Sequence, residues 1–154
     1  MATLYLAGNI DGCTMDACNG WRERLTAMLK RRGHATLNPL RGKEGCFEKW
    51  EGRDTGHTVT DAGVIVTRDL WDLEQADGII ANVGPADAIL TGTVCEAFYA
   101  SRIRRPAIPV FAFVVDGEEP ARQVRSPWFG QFFSPAYHVH SEGGLVETIG
   151  RYFG

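Results

Sequence analysis

Basic charge is in short supply along this chain: 16 Lys and Arg stand against 19 Asp and Glu, a formal net charge of −3. Without a basic face a protein has no general attraction to nucleic acid polymers, so none is expected as a partner and a small-molecule substrate is. Long apolar runs are missing too. The longest, Ala107 to Val115, is too short to span a bilayer and contains Pro109, and the N-terminus has no basic region followed by an apolar stretch. No membrane partner is expected, and the reading is cytoplasmic. The four cysteines, Cys13, Cys18, Cys46 and Cys95, form no Cys-x-x-Cys pair, and a chain without a secretion signal keeps such thiols reduced. His138 and His140 flank Val139 on one face of a strand, but no third ligand stands at a recognisable spacing, so no metal is assigned. Gly8-Asn9-Ile10-Asp11-Gly12 is not G-x-G-x-x-G, and neither G-x-x-x-x-G-K-[ST] nor G-x-S-x-G occurs. No cofactor is expected.

What is present is the composition of a globular domain: 44% hydrophobic, 23% charged, 10% aromatic. A chain of 154 residues buries about two thirds of its unfolded surface without metal or disulfide support, so residues 1–154 are expected to form a single domain. Thr3-Leu4-Tyr5-Leu6-Ala7 reads as a buried strand ending in a loop at Gly8. Trp21, Leu25, Met28 and Leu29 have the spacing of an amphipathic helix from Met15 to Arg32, stopped by Gly33. Ala35-Thr36-Leu37 is a second strand, closed by Asn38-Pro39. Residues 41–57 predict a long loop, containing Phe47 and Trp50, of the kind that forms lids. Thr58-Val59-Thr60-Asp61 starts a helix running to Gln75. Strands are expected over Ala76–Asn82, Ile108–Val115 and about Tyr137–Val139, with helices over Thr93–Arg104 and Glu142–Phe153. This β-α-β-α-β-α-β order predicts an α/β fold, a doubly wound flavodoxin- or Rossmann-like parallel sheet of about five strands with helices on both faces. Ligands of such sheets bind beyond the carboxyl ends of the strands, which singles out the loops Gly8–Gly12 and Asn82–Gly92.

Two carboxylates stand in unusual places. Projected at 100° per residue, the helix Thr93–Arg104 places Glu96 within an apolar face made by Cys95, Tyr99, Ala100 and Ile103. A carboxylate there is either satisfied or used. A position in the first turn would keep it ionised through the helix dipole. Thr93-x-x-Glu96 is also a capping-box pattern, in which the glutamate merely bonds back to the backbone. Gly92 before it lets a backbone approach a ligand closely. In the preceding helix Ala62, Val66, Leu70 and Leu73 form the expected core stripe; Asp69 flanks it, open to pairing with Arg68, and Asp72 lies further toward solvent. Two carboxylates beside one cleft are what glycosidic chemistry with retention requires, a nucleophile and a group that manages the leaving-group proton.

Three blocks then carry a resemblance: Tyr5-Leu6-Ala7-Gly8; Arg68-Asp69-Leu70 with Ala76-Asp77; and Asn82 followed by Gly92-Thr93-x-x-Glu96-x-x-x-Ala100. In their order and spacing the chain, from Leu4 to about Val115, resembles the nucleoside 2-deoxyribosyltransferases and the related 2'-deoxynucleoside 5'-phosphate N-hydrolases. The resemblance implies that Glu96 attacks the anomeric carbon, that Tyr5 orients Glu96, and that Asp69 contacts the base and assists its protonation. Gly8, Asn9, Asp72, Asn82, Asp87, Gly92 and Thr93 are the implied substrate-binding residues. A deoxynucleoside or deoxynucleotide and a free nucleobase are the implied partners, together with a second copy of the chain, since family sites are completed by a neighbouring subunit. Val64 and Trp71, opposite the expected core stripe, are candidate interface residues.

The chain departs from the family pattern at Leu90, where many transferases carry an aspartate that binds the sugar hydroxyl and where Asp87 is the nearest acid, and at Phe98, where a glycine is usual. Arg41, Lys43 and Arg53 in the long loop are placed to meet a phosphate. Base exchange on a deoxynucleoside is therefore the first functional expectation, hydrolysis of a deoxynucleoside monophosphate the second, and a non-catalytic nucleotide-binding module the third.

Overall fold

In a computed structural model of the chain, residues 1–43, 61–133 and 139–154 are described. Five parallel strands, β1 (Thr3–Gly8), β2 (Ala35–Leu37), β3 (Gly78–Asn82), β4 (Val110–Phe113) and β5 (Val139–His140), form one sheet in the order β2-β1-β3-β4-β5. The doubly wound α/β fold expected from the order of elements is thus the observed one. Strand direction reverses its spatial progression between β1 and β3, and it is outside such a switch point that ligands of this fold bind.

Alternation along the strands divides the core in two. Leu4 and Leu6 of β1 and Phe111 and Phe113 of β4 face α1 (Met15–Lys30) and α4 (Glu142–Phe153), where they pack with Trp21, Leu25, Leu29, Leu145 and Ile149. Tyr5 and Ala7, one residue out of phase, face the opposite side, where α2 (Ala62–Gln75) and α3 (Thr91–Phe98) lie. A period of two therefore puts Tyr5 on the side of the sheet that carries Asp69 and Glu96.

Asp61 caps α2, its carboxylate accepting from the backbone N–H groups of Gly63 and Val64; Thr58, Val59 and Thr60 of the expected start signature lie outside the described residues. The rotation of α2 is not as expected. Val66 and Leu70 of the anticipated core stripe are exposed, and Asp72, placed toward solvent by the helical projection, is fully buried with Leu73. The buried edge runs through Ile65, Asp69 and Asp72 because these residues meet the strand ends and Arg41; polar contacts, rather than apolar content, orient this helix.

Helix α3 starts at Thr91, two residues before the expected start, and its cap residue Leu90 contributes no side-chain hydrogen bond. After Phe98 the backbone widens into a π-helical turn over Tyr99–Ile103, with the Arg104 N–H bonded to the Tyr99 carbonyl. Strand β4 is shorter than the expected Ile108–Val115, as Pro109 lacks the N–H that would extend its ladder. The aromatic segment near the C-terminus supplies core: Phe129 and Phe133 stack at 4.2 Å and join the cluster under α3. Phe47, Trp50, Arg53 and Tyr137 lie outside the described residues.

Candidate active site

A cavity of about 320 Å³ opens at the carboxyl end of β1, a volume within the range of small-ligand sites. Gly8, Asn9, Ile10 and Asp11 form one side, Thr91, Gly92, Thr93 and Glu96 of α3 another, and Asp69 with Ile65 of α2 a third; Leu40, Lys43 and Ile89 complete it.

Glu96 sits in the second turn of α3. The capping-box alternative does not form: the helix begins before Thr93, and the Glu96 carboxylate accepts a 2.7 Å hydrogen bond from the Tyr5 hydroxyl. The first-turn dipole argument falls with it. Burial instead pushes the Glu96 carboxyl up to about 7, against the lowering effect of the Tyr5 bond, with Asp69 raising it further and Arg22 lowering it. Asp69 lies on the other side of the Tyr5 hydroxyl and is pushed up to about 6, chiefly by burial, while Lys43 pulls it down. Its Oδ1 is buried with no hydrogen-bond partner among the described residues. Two coupled carboxyls in one cavity, each raised toward neutrality, are the arrangement on which acid–base work at physiological pH depends.

Tyr5 itself is fully buried behind Glu96. Burial, then the nearby Glu96 and Asp69 charges, hold its phenol far above its ordinary range, so it remains a hydrogen-bond donor. Gly8 has to be glycine: a Cβ there would stand 2.8 Å from the Trp21 ring and 3.2 Å from the Asn82 Cβ. Asn9 donates to Cys13 Sγ at 3.4 Å. Around Gly92 a Cβ would meet no protein atom within 4 Å, so space adjoins the backbone at that point of the cavity wall.

Three residues expected at the site stand elsewhere. Asp72 makes a bidentate pair with Arg41, at 2.5 and 2.6 Å, and does not line the cavity. The Asn82 side chain accepts from the Gly84 N–H at 3.0 Å, shaping the turn after β3. Asp87 is exposed and outside the cavity. At the positions that depart from the family pattern, Leu90 is fully buried, and Phe98 turns outward to meet Phe132 edge-on at 5.4 Å.

Sequence reasoning missed Arg22. It is fully buried and makes no ion pair among the described residues; its guanidinium donates to the carbonyls of Leu6, Cys18 and Gly8 and lies 4.3 Å from the Trp21 ring centre. The signal was available, because Arg22 falls on the stripe of Cys18, Leu25 and Leu29 where a charge has to be explained. By bonding both Leu6 and Gly8 it fixes the end of β1 beneath the cavity, and burial lowers its own pKa to about 10. Among the described residues no group of three or more His, Cys, Asp or Glu is arranged to hold a metal ion, and no helix is long and apolar enough to cross a membrane.

Comparison with known proteins adds the family. The sequence model described as nucleoside 2-deoxyribosyltransferase matches residues 4–147. Among solved structures, a 2-desoxiribosyltransferase from Leishmania mexicana superposes with a TM-score of 0.63 at 19% identity, covering 99% of each chain. A 2-deoxyribosyltransferase from Bacillus psychrosaccharolyticus gives 0.56 at 16%, over 98% of this chain and 92% of its own. A CMP N-glycosidase from Clostridium botulinum gives 0.50 at 18%, over 97% and 98%. At these identities the likeness is one of fold. No curated protein matches the chain by sequence.

Proposed function

Because this chain belongs to the nucleoside 2-deoxyribosyltransferase family and is an enzyme of N-glycosidic bonds, we propose that it exchanges the base of a 2'-deoxynucleoside through a covalent intermediate on Glu96. The observation that carries the reading is the Tyr5–Glu96 hydrogen bond at the cavity wall. It withdraws Glu96 from any capping role and engages Oε1, leaving Oε2 for the sugar.

In the first displacement Oε2 attacks the anomeric carbon and the bond electrons leave with the base nitrogen. Asp69, raised toward neutrality by burial, is the acid that supplies the departing base with a proton. A nitrogen of a second base then attacks the same carbon from the opposite face, its proton passing to the Asp69 carboxylate as the Glu96 carboxylate leaves. Two inversions restore the β configuration. The transition state resembles an oxocarbenium ion, so a carboxylate beneath the sugar stabilises it more than it stabilises the neutral substrate. Gly8, Asn9, Gly92 and Thr93 line the sugar end. We assign the whole of residues 1–154 to this one catalytic domain, working as a homo-oligomer: Val64 and Trp71, which share one face of α2, are both exposed, surface of the kind that subunits cover.

Incubation with deoxyinosine and adenine is expected to yield deoxyadenosine and hypoxanthine, and Glu96→Ala to abolish both while the fold persists. Substantial base release by that variant would remove Glu96 from its role. A second reading, hydrolysis of a deoxynucleoside 5'-monophosphate, is favoured by one feature. Leu90 leaves the uncapped start of α3 without an acid, which removes repulsion toward an anion there. Base release confined to the monophosphate, with no exchange product, selects it.

A further inference from the structure

Strand β2 ends early, and a charged side chain takes its place. At the start of β1 the Ala2 carbonyl accepts from the Ala35 N–H of β2, and the Thr3 carbonyl from the Asp77 N–H just before β3. Carbonyls along a strand alternate between its two neighbours, so those of Leu4, Leu6 and Gly8 face the β2 side. Pairing on that side closes with Tyr5 opposite Leu37. In the same step of two, the donor for the Leu6 carbonyl would be residue 39. That residue is Pro39, which has no N–H. Arg22 of α1 fills the gap: its Nε donates to the Leu6 carbonyl at 3.2 Å and its Nη2 to the Gly8 carbonyl at 3.0 Å.

Neutral donors would serve those carbonyls as well. Arg22 brings a full charge instead, buried and without an ion pair among the described residues, and a buried charge is costly. Its place is directly behind the cavity wall, since a Cβ on the wall residue Gly8 would stand 3.3 Å from Arg22 Nη2. The titratable groups it faces are Cys18 on its own helix, Cys13 in the loop after β1, Tyr5 on β1, Glu96 on α3 and Lys43 after β2. Of these, Glu96 is the one that the proposed reaction needs as an anion. Burial drives Glu96 toward neutrality, and the Arg22 charge opposes it. Asp69 has Lys43 and Arg68 as its own cations.

We propose that Arg22 is a positioning residue of the catalytic site: it replaces the strand edge that Pro39 ends, holding Leu6 and Gly8 beneath the cavity, and its charge favours the ionised Glu96 that attacks the sugar. This rests on the reading of Glu96 as nucleophile. Arg22 does not line the cavity, so it acts through Gly8, Tyr5 and Glu96. Leu6 follows Tyr5 directly on β1, and the bonds that fix this strand end also fix the phenol that seats the Glu96 carboxylate. A guanidinium suits the task because its donors fan out to carbonyls on two elements, Leu6 and Gly8 on β1 and Cys18 on α1, while it stays charged when buried.

The test compares wild type, Arg22→Met and Arg22→Lys by two readouts. One is the titration of the Glu96 carboxyl, followed by carbon NMR of protein carrying isotope-labelled glutamate, with Glu96→Gln identifying the signal. The other is the pH profile of kcat/KM for base exchange between deoxyinosine and adenine. Arg22→Met is expected to move the Glu96 midpoint up by about half a pH unit or more, and the acid limb of the profile with it. Arg22→Lys, which keeps the charge and three donors, is expected to hold both near wild type. An unchanged Glu96 midpoint in folded Arg22→Met overturns the proposal, as does an equal displacement in Arg22→Lys. If the wild type exchanges no base, that reading fails, and the titration still decides whether Arg22 acts on Glu96. Circular dichroism identifies an unfolded Arg22→Met, in which case Arg22→Gln, uncharged and with an amide donor, takes its place with the same expected displacement.

Discussion

The Glu96 carboxyl is held in surroundings that oppose its charge: burial raises its pKa to about 7 and the neighbouring Asp69 adds to the effect. A folded-state value above the unfolded one means that the folded protein holds the proton longer. The ionised group is then a burden on stability that is absent below the unfolded pKa of about 4, grows as pH rises and is complete above about 7. Glu96→Gln keeps an oxygen that can accept from the Tyr5 hydroxyl and removes the charge. It is expected to stabilise the protein by about 1–3 kcal/mol at pH 8, with the gain disappearing near pH 4. Denaturant unfolding at the two pH values checks this, and equal stability of variant and wild type at pH 8 would contradict it. Gained stability at the expense of turnover is the mark of a group kept for chemistry.

At the scale of elements, the Arg41–Asp72 pair ties the segment after β2 to α2, and its two ends are unlike: the Arg41 side chain is 40% exposed, that of Asp72 not at all. Arg68 reinforces the same junction by donating to the Arg41 carbonyl at 2.5 Å. Removing the arginine strands a buried carboxylate, whereas removing the aspartate leaves a guanidinium that can turn to water. Arg41→Met is thus expected to cost about 3–5 kcal/mol and Asp72→Ala roughly half of that, as measured by urea unfolding. The reverse order would show that Asp72 is not the dependent partner. Lys43 follows two residues after Arg41, so the pair also determines where Lys43 stands in the cavity.

For the whole molecule, the sheet order β2-β1-β3-β4-β5 brings Tyr5, Asp69 and Glu96 from three elements to one switch point. The same winding leaves Trp71 60% exposed on α2, with Val64 on the same face also uncovered. If copies of the chain cover this face, Trp71→Glu is expected to shift the sedimenting species to a smaller size at equal concentration. An unchanged sedimentation coefficient would place the interface elsewhere.

The sequence by itself determined what depends on neighbours a few residues away. The two-residue alternation of β1, the helical period of α1 and the order of the elements specify the parallel sheet. Tertiary structure decided what depends on partners far along the chain. Whether Glu96 caps its own helix or faces a cavity was open until Tyr5, 91 residues away, was seen to bond it. The rotation of α2 was misread because hydrophobicity alone turns Val66 and Leu70 inward, while Arg41, 31 residues away, draws Asp72 into the interior. Helical period fixes which residues share a face. Which face is buried is set by the contacts that the sheet and the neighbouring chain segments offer, and no local pattern carries that information.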